Sequence, residues 1–373
     1  MRTAAPRGRS SLPRIRVGSG TLLLIPVLMV LVTPALTRVL PGPAALVAAA
    51  IVALLMLVSV AAHELAHALA ARAAGGHVHE IALTFMGGHT RYTSSGIGPW
   101  ASTGISLVGP LTNVVLALGF GTFGGVAGSL LISAGLPAAW GSAVVLIAAT
   151  SATLNWALAI FNLLPGLPMD GGRALESILV GLGVPAVRAT LLTGWIGRAV
   201  AVLVVLIPAW RALSSGQLPS LLVLVLGLVI AGMLWQGASE AMRHARVLQR
   251  AEALSLGALA RPVRPLHDSM RLGSEAAHLD AGGLYVRSDG TLLLPDPTLR
   301  ARASEPSMTE LPLSSALMVG PVPARLPASL TGGALLGAIA ARPADAYLLQ
   351  DASGAVVGAL LGSDLQAALS SPR

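Results

Sequence analysis

The sequence predicts a polytopic α-helical membrane protein of about six transmembrane helices, with a membrane-associated β-ribbon and a C-terminal cytosolic α+β domain. Three observations carry this reading. The 373 residues are 54% hydrophobic and only 11% charged, whereas an ordinary soluble domain is about a quarter charged. Apolar runs of about 20 residues, enough for a helix to cross ~30 Å of hydrocarbon, recur along the first part of the chain. From about Gly257 those runs stop, and prolines, aspartates and short β-type runs take over.

Composition also excludes several chemistries. Cysteine is absent, so disulfides, thiolate ligands and cysteine nucleophiles are ruled out. Any metal site must draw on His, Asp, Glu or water. The net charge of +8 comes from 24 basic residues, all arginine. They form no dense basic stripe interleaved with aromatics, which excludes a nucleic-acid interface.

Residues 1–18 read as a disordered cytoplasmic tail. Arg2, Arg7, Arg9, Arg14 and Arg16 precede the first apolar run with no acidic residue among them, the positive-inside pattern. A cleaved signal peptide is the competing reading, and the length of the run and the weak Thr33-Pro34-Ala35 site speak against it. A membrane domain over 19–236 follows, with spans expected at 21–40, 44–71, 105–131, 138–164, 184–208 and 219–236. Six spans put both termini in the cytoplasm of a multi-pass cell-membrane protein. Arg243, Arg246 and Arg250 follow on that side, while Arg38 and Arg211 fall in turns on the other. Residues 237–256 read as an amphipathic linker helix, and 257–373 as the soluble domain.

The second span carries His63-Glu64-Leu65-Ala66-His67. Two histidines four apart on a helix share a face one turn apart. Neutral imidazoles so placed can take two positions around one zinc ion. A glutamate directly after the first is placed to act as base toward a zinc-activated water. Many such patterns sit by chance on solvated faces, but three ionisable groups inside an apolar span are too costly for that explanation.

Between the second and third spans, residues 75–100 hold short β-type runs around Gly87-Gly88, read as a hairpin or re-entrant ribbon. His77, His79 and His89 there read as solvated or hydrogen-bonded rather than as ligands. The ribbon's edge could receive an unwound substrate strand. Asn113, alone in the apolar third span, reads equally as interhelical hydrogen bonding or as a residue beside the site. The fourth span ends in Asn162-Leu-Leu-Pro165-Gly-Leu-Pro168-Met-Asp170-Gly-Gly-Arg173, where proline and glycine break the helix. Taken alone, Asp170 reads as the cap of a helix over 172–183. With the histidines present, it reads as a third zinc ligand, completing an open two-His, one-carboxylate site.

These motifs resemble the site-2 protease family of intramembrane zinc metalloproteases. The His63–His67 pattern, the Gly109-Pro110-x-x-Asn113 element and the Asn162–Gly171 stretch all match, with Met169 in place of the usual leucine. The resemblance covers about residues 20–240. It implies one zinc held by His63, His67 and Asp170, with Glu64 as catalytic base and Asn162 stabilising the tetrahedral intermediate. It also implies a single-span membrane protein as substrate, an anti-sigma factor being one kind. In the soluble domain, residues 282–300 and 345–369 read as two strand–turn–strand repeats. They resemble a tandem CBS pair, the first half partly degenerate. That resemblance implies a regulatory role, an adenine nucleotide contacted near Asp364, and dimerisation as the alternative role. Two other readings of the whole chain stand beside these: a non-enzymatic membrane transporter gated by the C-terminal pair, and a different membrane zinc protease acting on soluble or lipid-modified peptides.

Overall fold

The computed structural model describes residues 14–18, 20–84, 87–93, 96–216, 221–301, 305 and 307–370. The chain divides into two compact units, Met1–Met242 and Arg243–Arg373.

The first unit is built from α1 (Thr21–Leu36), α2 (Gly42–Ala73), α3 (Pro99–Ser133), α4 (Ala138–Asn162), α5 (Asp170–Gly181), α6 (Ala186–Ser215) and the start of α7 (Leu221–Ala253). Among the described residues, five helices are long and apolar enough to cross a membrane: α2, α3, α4, α6 and most of α7. The expected first span is shorter than predicted. α1 has 16 residues, about 24 Å of helix at 1.5 Å per residue, less than the hydrocarbon thickness. It packs on α2 through Val32, Leu36, Ala45, Ala49 and Val52.

Two expected boundaries also move. The fifth span does not end at Pro208. α6 continues past it and past Arg211 to Ser215, where Gly216 at φ +67° takes the left-handed C-cap. The expected start of the sixth span at Pro219 lies outside the described residues. The linker helix is not a separate element, because α7 runs unbroken through residues 237–253. The one residue there with low helix propensity, Gly237, is accommodated by packing: a Cβ on it would stand 2.7 Å from Pro168 Cγ.

The ribbon forms as expected, with one strand more. β2 (His77–Thr84) and β3 (Gly87–Thr93) pair antiparallel, Ile81 opposite Thr90. Residues 14–17 of the expected disordered tail form β1 (Arg14–Val17), parallel to β2 with Arg14 opposite Glu80. The alternation Arg-Ile-Arg-Val suits a strand, and Arg16 reaches Glu80 at 3.5 Å. The sheet order is β1-β2-β3, which leaves one edge of β3 unpaired among the described residues. Val78 and Ile81 anchor the ribbon against Ala68, Ala71 and Ile105 of α2 and α3.

The second unit holds the end of α7, then α8 (Leu256–Leu259), β4 (Val263–Pro265), α9 (Ala276–Asp280), β5 (Leu284–Val286), β6 (Leu292–Pro295), α10 (Pro297–Ala301), β7 (Leu317–Val319), β8 (Ala324–Pro327), α11 (Gly332–Ala341), β9 (Ala346–Gln350), β10 (Val356–Leu361) and α12 (Gly362–Ser370). The internal repeat is visible in the pairing. In each half a strand lies parallel to the first arm of a hairpin, β4 on β5–β6 and β8 on β9–β10. A helix lies between the lone strand and the hairpin in both halves, and another follows the hairpin. The first half is the less regular. Its closing helix α10 has five residues, with Asp296 accepting from Thr298 N–H at 2.8 Å.

Candidate active site

His63, Glu64 and His67 lie on α2 and are all buried, at 5%, 5% and 8% exposure. Asp170 reaches them from the start of α5. It does so because the chain after α4 turns through Pro165-Gly-Leu-Pro168 instead of continuing as helix. This loop is inlaid against its neighbours: Leu167 N–H donates to Thr193 carbonyl at 3.1 Å, and a Cβ on Gly197 would run into the Leu167 carbonyl. Met169 is the N-cap residue of α5, with no side-chain capping bond, and Asp170 is the first helical residue.

Asp170 Oδ2 lies 3.1 Å from His63 Nε2 and 3.3 Å from His67 Nε2, and the two Nε2 atoms are 3.1 Å apart. Tetrahedral zinc with bonds of about 2.0–2.1 Å sets its ligand atoms about 3.3 Å apart, so the three donors stand at the spacing one ion requires. The far ring atoms support the same conclusion. His63 Nδ1 lies 2.5 Å from Asn113 Oδ1 and His67 Nδ1 lies 2.7 Å from the Ile105 carbonyl. Each Nδ1 therefore carries its proton, and each neutral ring presents a lone pair at Nε2. With both rings in this tautomer, two imidazole lone pairs and a carboxylate oxygen converge as a donor set able to hold one cation. Glycine makes the room. A Cβ on Gly109 would strike His67 Nε2 and stand 2.7 Å from His63 Nε2.

Glu64 faces the ribbon. Thr90 on β3 donates to Glu64 Oε2 at 2.8 Å, and a Cβ on Gly88 would come within 2.6 Å of Glu64 Oε1. A cavity of about 200 Å³ joins these groups; Glu64, Thr90, Tyr92, Asn162, Asp170 and Arg173 are among its lining residues. Arg173 is exposed, three residues after Asp170 and therefore on the same helix face.

Of the residues read from sequence, His63, Glu64, His67, Asn162 and Asp170 come together here. His89 also lines the cavity, but its side chain is exposed and it is not one of the three clustered donors. His79 hydrogen-bonds Thr93 Oγ1 at 2.6 Å, with His77 against its ring. Asp364 lies in the second unit, where Arg261 Nε and Nη2 donate to its two oxygens at 2.9 and 3.2 Å. The sequence reading missed Thr90, Arg173 and Asn155, whose amide donor group hydrogen-bonds Ser59 and whose oxygen accepts from Asn113. Asn155 had a signal: it is an amide inside an apolar helix, as Asn113 is.

The fold and site thus define a helical membrane protein with two His and one Asp placed so that they could hold a metal ion, and with the Glu64 carboxylate lining the same cavity. Residues 51–133 match the profile of Peptidase family M50. The chain is 32% identical over 209 residues to "Putative zinc metalloprotease sll0528" of Synechocystis sp., covering 55% of this chain and 50% of that protein. It is 36% identical over 164 residues to "Putative zinc metalloprotease Rip3" of Mycobacterium tuberculosis, covering 44% of this chain and 40% of that one. The chain thus spans half or less of the length of these curated relatives. Among solved structures it is similar to a site-2 protease from Methanocaldococcus jannaschii, at 22% identity and a TM-score of 0.38, over 61% of this chain and 90% of that one.

Proposed function

We propose that this protein is an intramembrane zinc metalloprotease that hydrolyses a peptide bond in or beside a transmembrane segment of another membrane protein. The observation that carries the reading is the donor triangle of His63, His67 and Asp170 with Glu64 at its side, set among helices long and apolar enough to cross a membrane. Zinc bound there would polarise the scissile carbonyl and bring the pKa of water towards about 7. Glu64 takes the proton of the attacking water and passes it to the leaving amine. Asn162 offers an amide donor to the developing oxyanion from the same cavity. A substrate helix must unwind first, because its own hydrogen bonds shield the carbonyl. The edge of β3 that is unpaired among the described residues offers main-chain partners to a strand so released, and Thr90 of the same strand contacts Glu64.

The further parts of this reading are a cell-membrane location with both termini cytoplasmic, a single-span substrate such as an anti-sigma factor, and modulation through a CBS-like second unit that dimerises or takes an adenine nucleotide. Asp364, the residue expected to contact the nucleotide, is ion-paired with Arg261 at 2.9 Å. Membrane proteomes of cells producing wild type or Glu64→Gln test the function. Shortened single-span proteins seen only with wild type are expected; identical proteomes would overturn it.

Thr90 makes a narrower prediction. A hydrogen bond to a charged group contributes about 1.5–3 kcal/mol. Thr90→Val is expected to lower kcat about 10- to 100-fold at unchanged zinc content, with Thr90→Ser restoring it. Steady-state kinetics in proteoliposomes, with zinc measured on the same preparation, checks this.

A further inference from the structure

A chain of buried amides leads away from His63. His63 Nδ1 faces Asn113 Oδ1 at 2.5 Å, and Asn113 Nδ2 donates to Asn155 Oδ1 at 3.0 Å. Asn155 Nδ2 then donates to the Ser151 carbonyl at 2.9 Å and to Ser59 Oγ at 3.1 Å. Asn113 and Asn155 are fully buried, at 0% exposure. The chain therefore links α2, α3 and α4 without water.

Its direction is fixed at the far end. A main-chain carbonyl can only accept. Ser59 Oγ has committed its own proton to the Leu55 carbonyl at 2.9 Å, so towards Asn155 it too can only accept. These two, and Met56 Sδ at 3.5 Å, which also can only accept, demand a donor at Asn155 Nδ2, and the Asn155 amide has one orientation. Its oxygen then requires the NH₂ of Asn113, and the oxygen of Asn113 requires a proton on His63 Nδ1. The lone pair is left on Nε2, the atom in the donor triangle. His67 is set differently, by the Ile105 carbonyl directly. That acceptor cannot flip, whereas an amide can.

We propose that Asn155 is a positioning residue for the metal site. Among the described residues its hydrogen bonds go to Asn113, Met56, Ser59 and Ser151, none of them one of the three donors, yet through Asn113 it holds His63 in the tautomer that can ligate. This goes beyond the metal reading of the site, and its first readout is taken without metal. An amide in an apolar helix is visible in the sequence, but its partner is not: nothing in residues 138–162 marks which amide faces which.

The test uses the full chain, purified, zinc-free and ¹⁵N-labelled at histidine, with His63 assigned by its loss in His63→Gln. In wild type, His63 is expected as the Nδ1–H tautomer alone; an Nε2–H tautomer there would overturn the proposal without any further variant. In Asn155→Leu, His63 is expected to show both tautomers, while His67 stays Nδ1–H as an internal check that the helices remain packed. Zinc affinity, measured by chelator competition, is expected to fall about 10- to 100-fold, as for loss of other partners behind a ligand. Adding Asn113→Asp is expected to restore affinity, because either oxygen of a carboxylate accepts from His63. Wild-type tautomer and affinity in Asn155→Leu would contradict the proposal. Failure of the wild-type protein to bind zinc would instead count against the metal reading.

Discussion

Gly109→Ala is expected to abolish stable zinc binding, lowering affinity about 100-fold or more. The added methyl would occupy the space where His63 and His67 present their Nε2 atoms, and each ring is held in place from behind, at Nδ1, by Asn113 Oδ1 and by the Ile105 carbonyl. The sign is opposite to what helix propensity alone gives, since alanine is favoured over glycine within a helix by about 1 kcal/mol. The variant should therefore fold with unimpaired helix content and lose the metal specifically. Circular dichroism together with zinc analysis of the purified protein separates these two effects. Normal zinc content would mean that the donors are not where this account places them.

Glu64→Gln carries the second large effect. It removes the base while keeping the side chain's size and its hydrogen bond from Thr90. Loss of a positioned general base slows a reaction about 100- to 10,000-fold. Zinc content should stay at the wild-type level, because Glu64 lies outside the donor triangle. Cleavage at the wild-type rate by zinc-loaded Glu64→Gln protein would assign the base elsewhere.

Much of this site was legible in the sequence because its chemistry is local. His63, Glu64 and His67 lie within one and a half turns of a helix, and their place in an apolar run made a solvated face untenable. Asp170 was legible as a ligand only in the company of the two histidines. Its Pro and Gly neighbours announced a helix break, but whether the carboxylate capped its own helix or reached α2 depends on the path of residues 163–169. Glu64's neighbours on the ribbon were not legible. Gly88 and Thr90 become partners of the base only through the strand register that sets Thr90 opposite Ile81. The amide pair of Asn113 and Asn155 is 42 residues apart in sequence and meets across two helices.

The fold shows the same division. Apolar length located the long helices, yet it overestimated α1, where Arg38 and Pro41 follow the helix closely. It also placed a false boundary in α7, because a change from apolar to basic residues reads as a new element while the backbone continues unbroken. The strand Arg14–Val17 was missed because four residues carry almost no signal without the β2 edge that receives them.

The central claim is that one zinc ion is held jointly by α2 and the start of α5. The measurement that tests it most directly is the zinc stoichiometry of purified wild-type and Asp170→Ala protein after dialysis against a moderate chelator. The account predicts one zinc per chain in wild type and almost none in Asp170→Ala, with both proteins folded. Tight zinc at one per chain in the absence of Asp170 would contradict it.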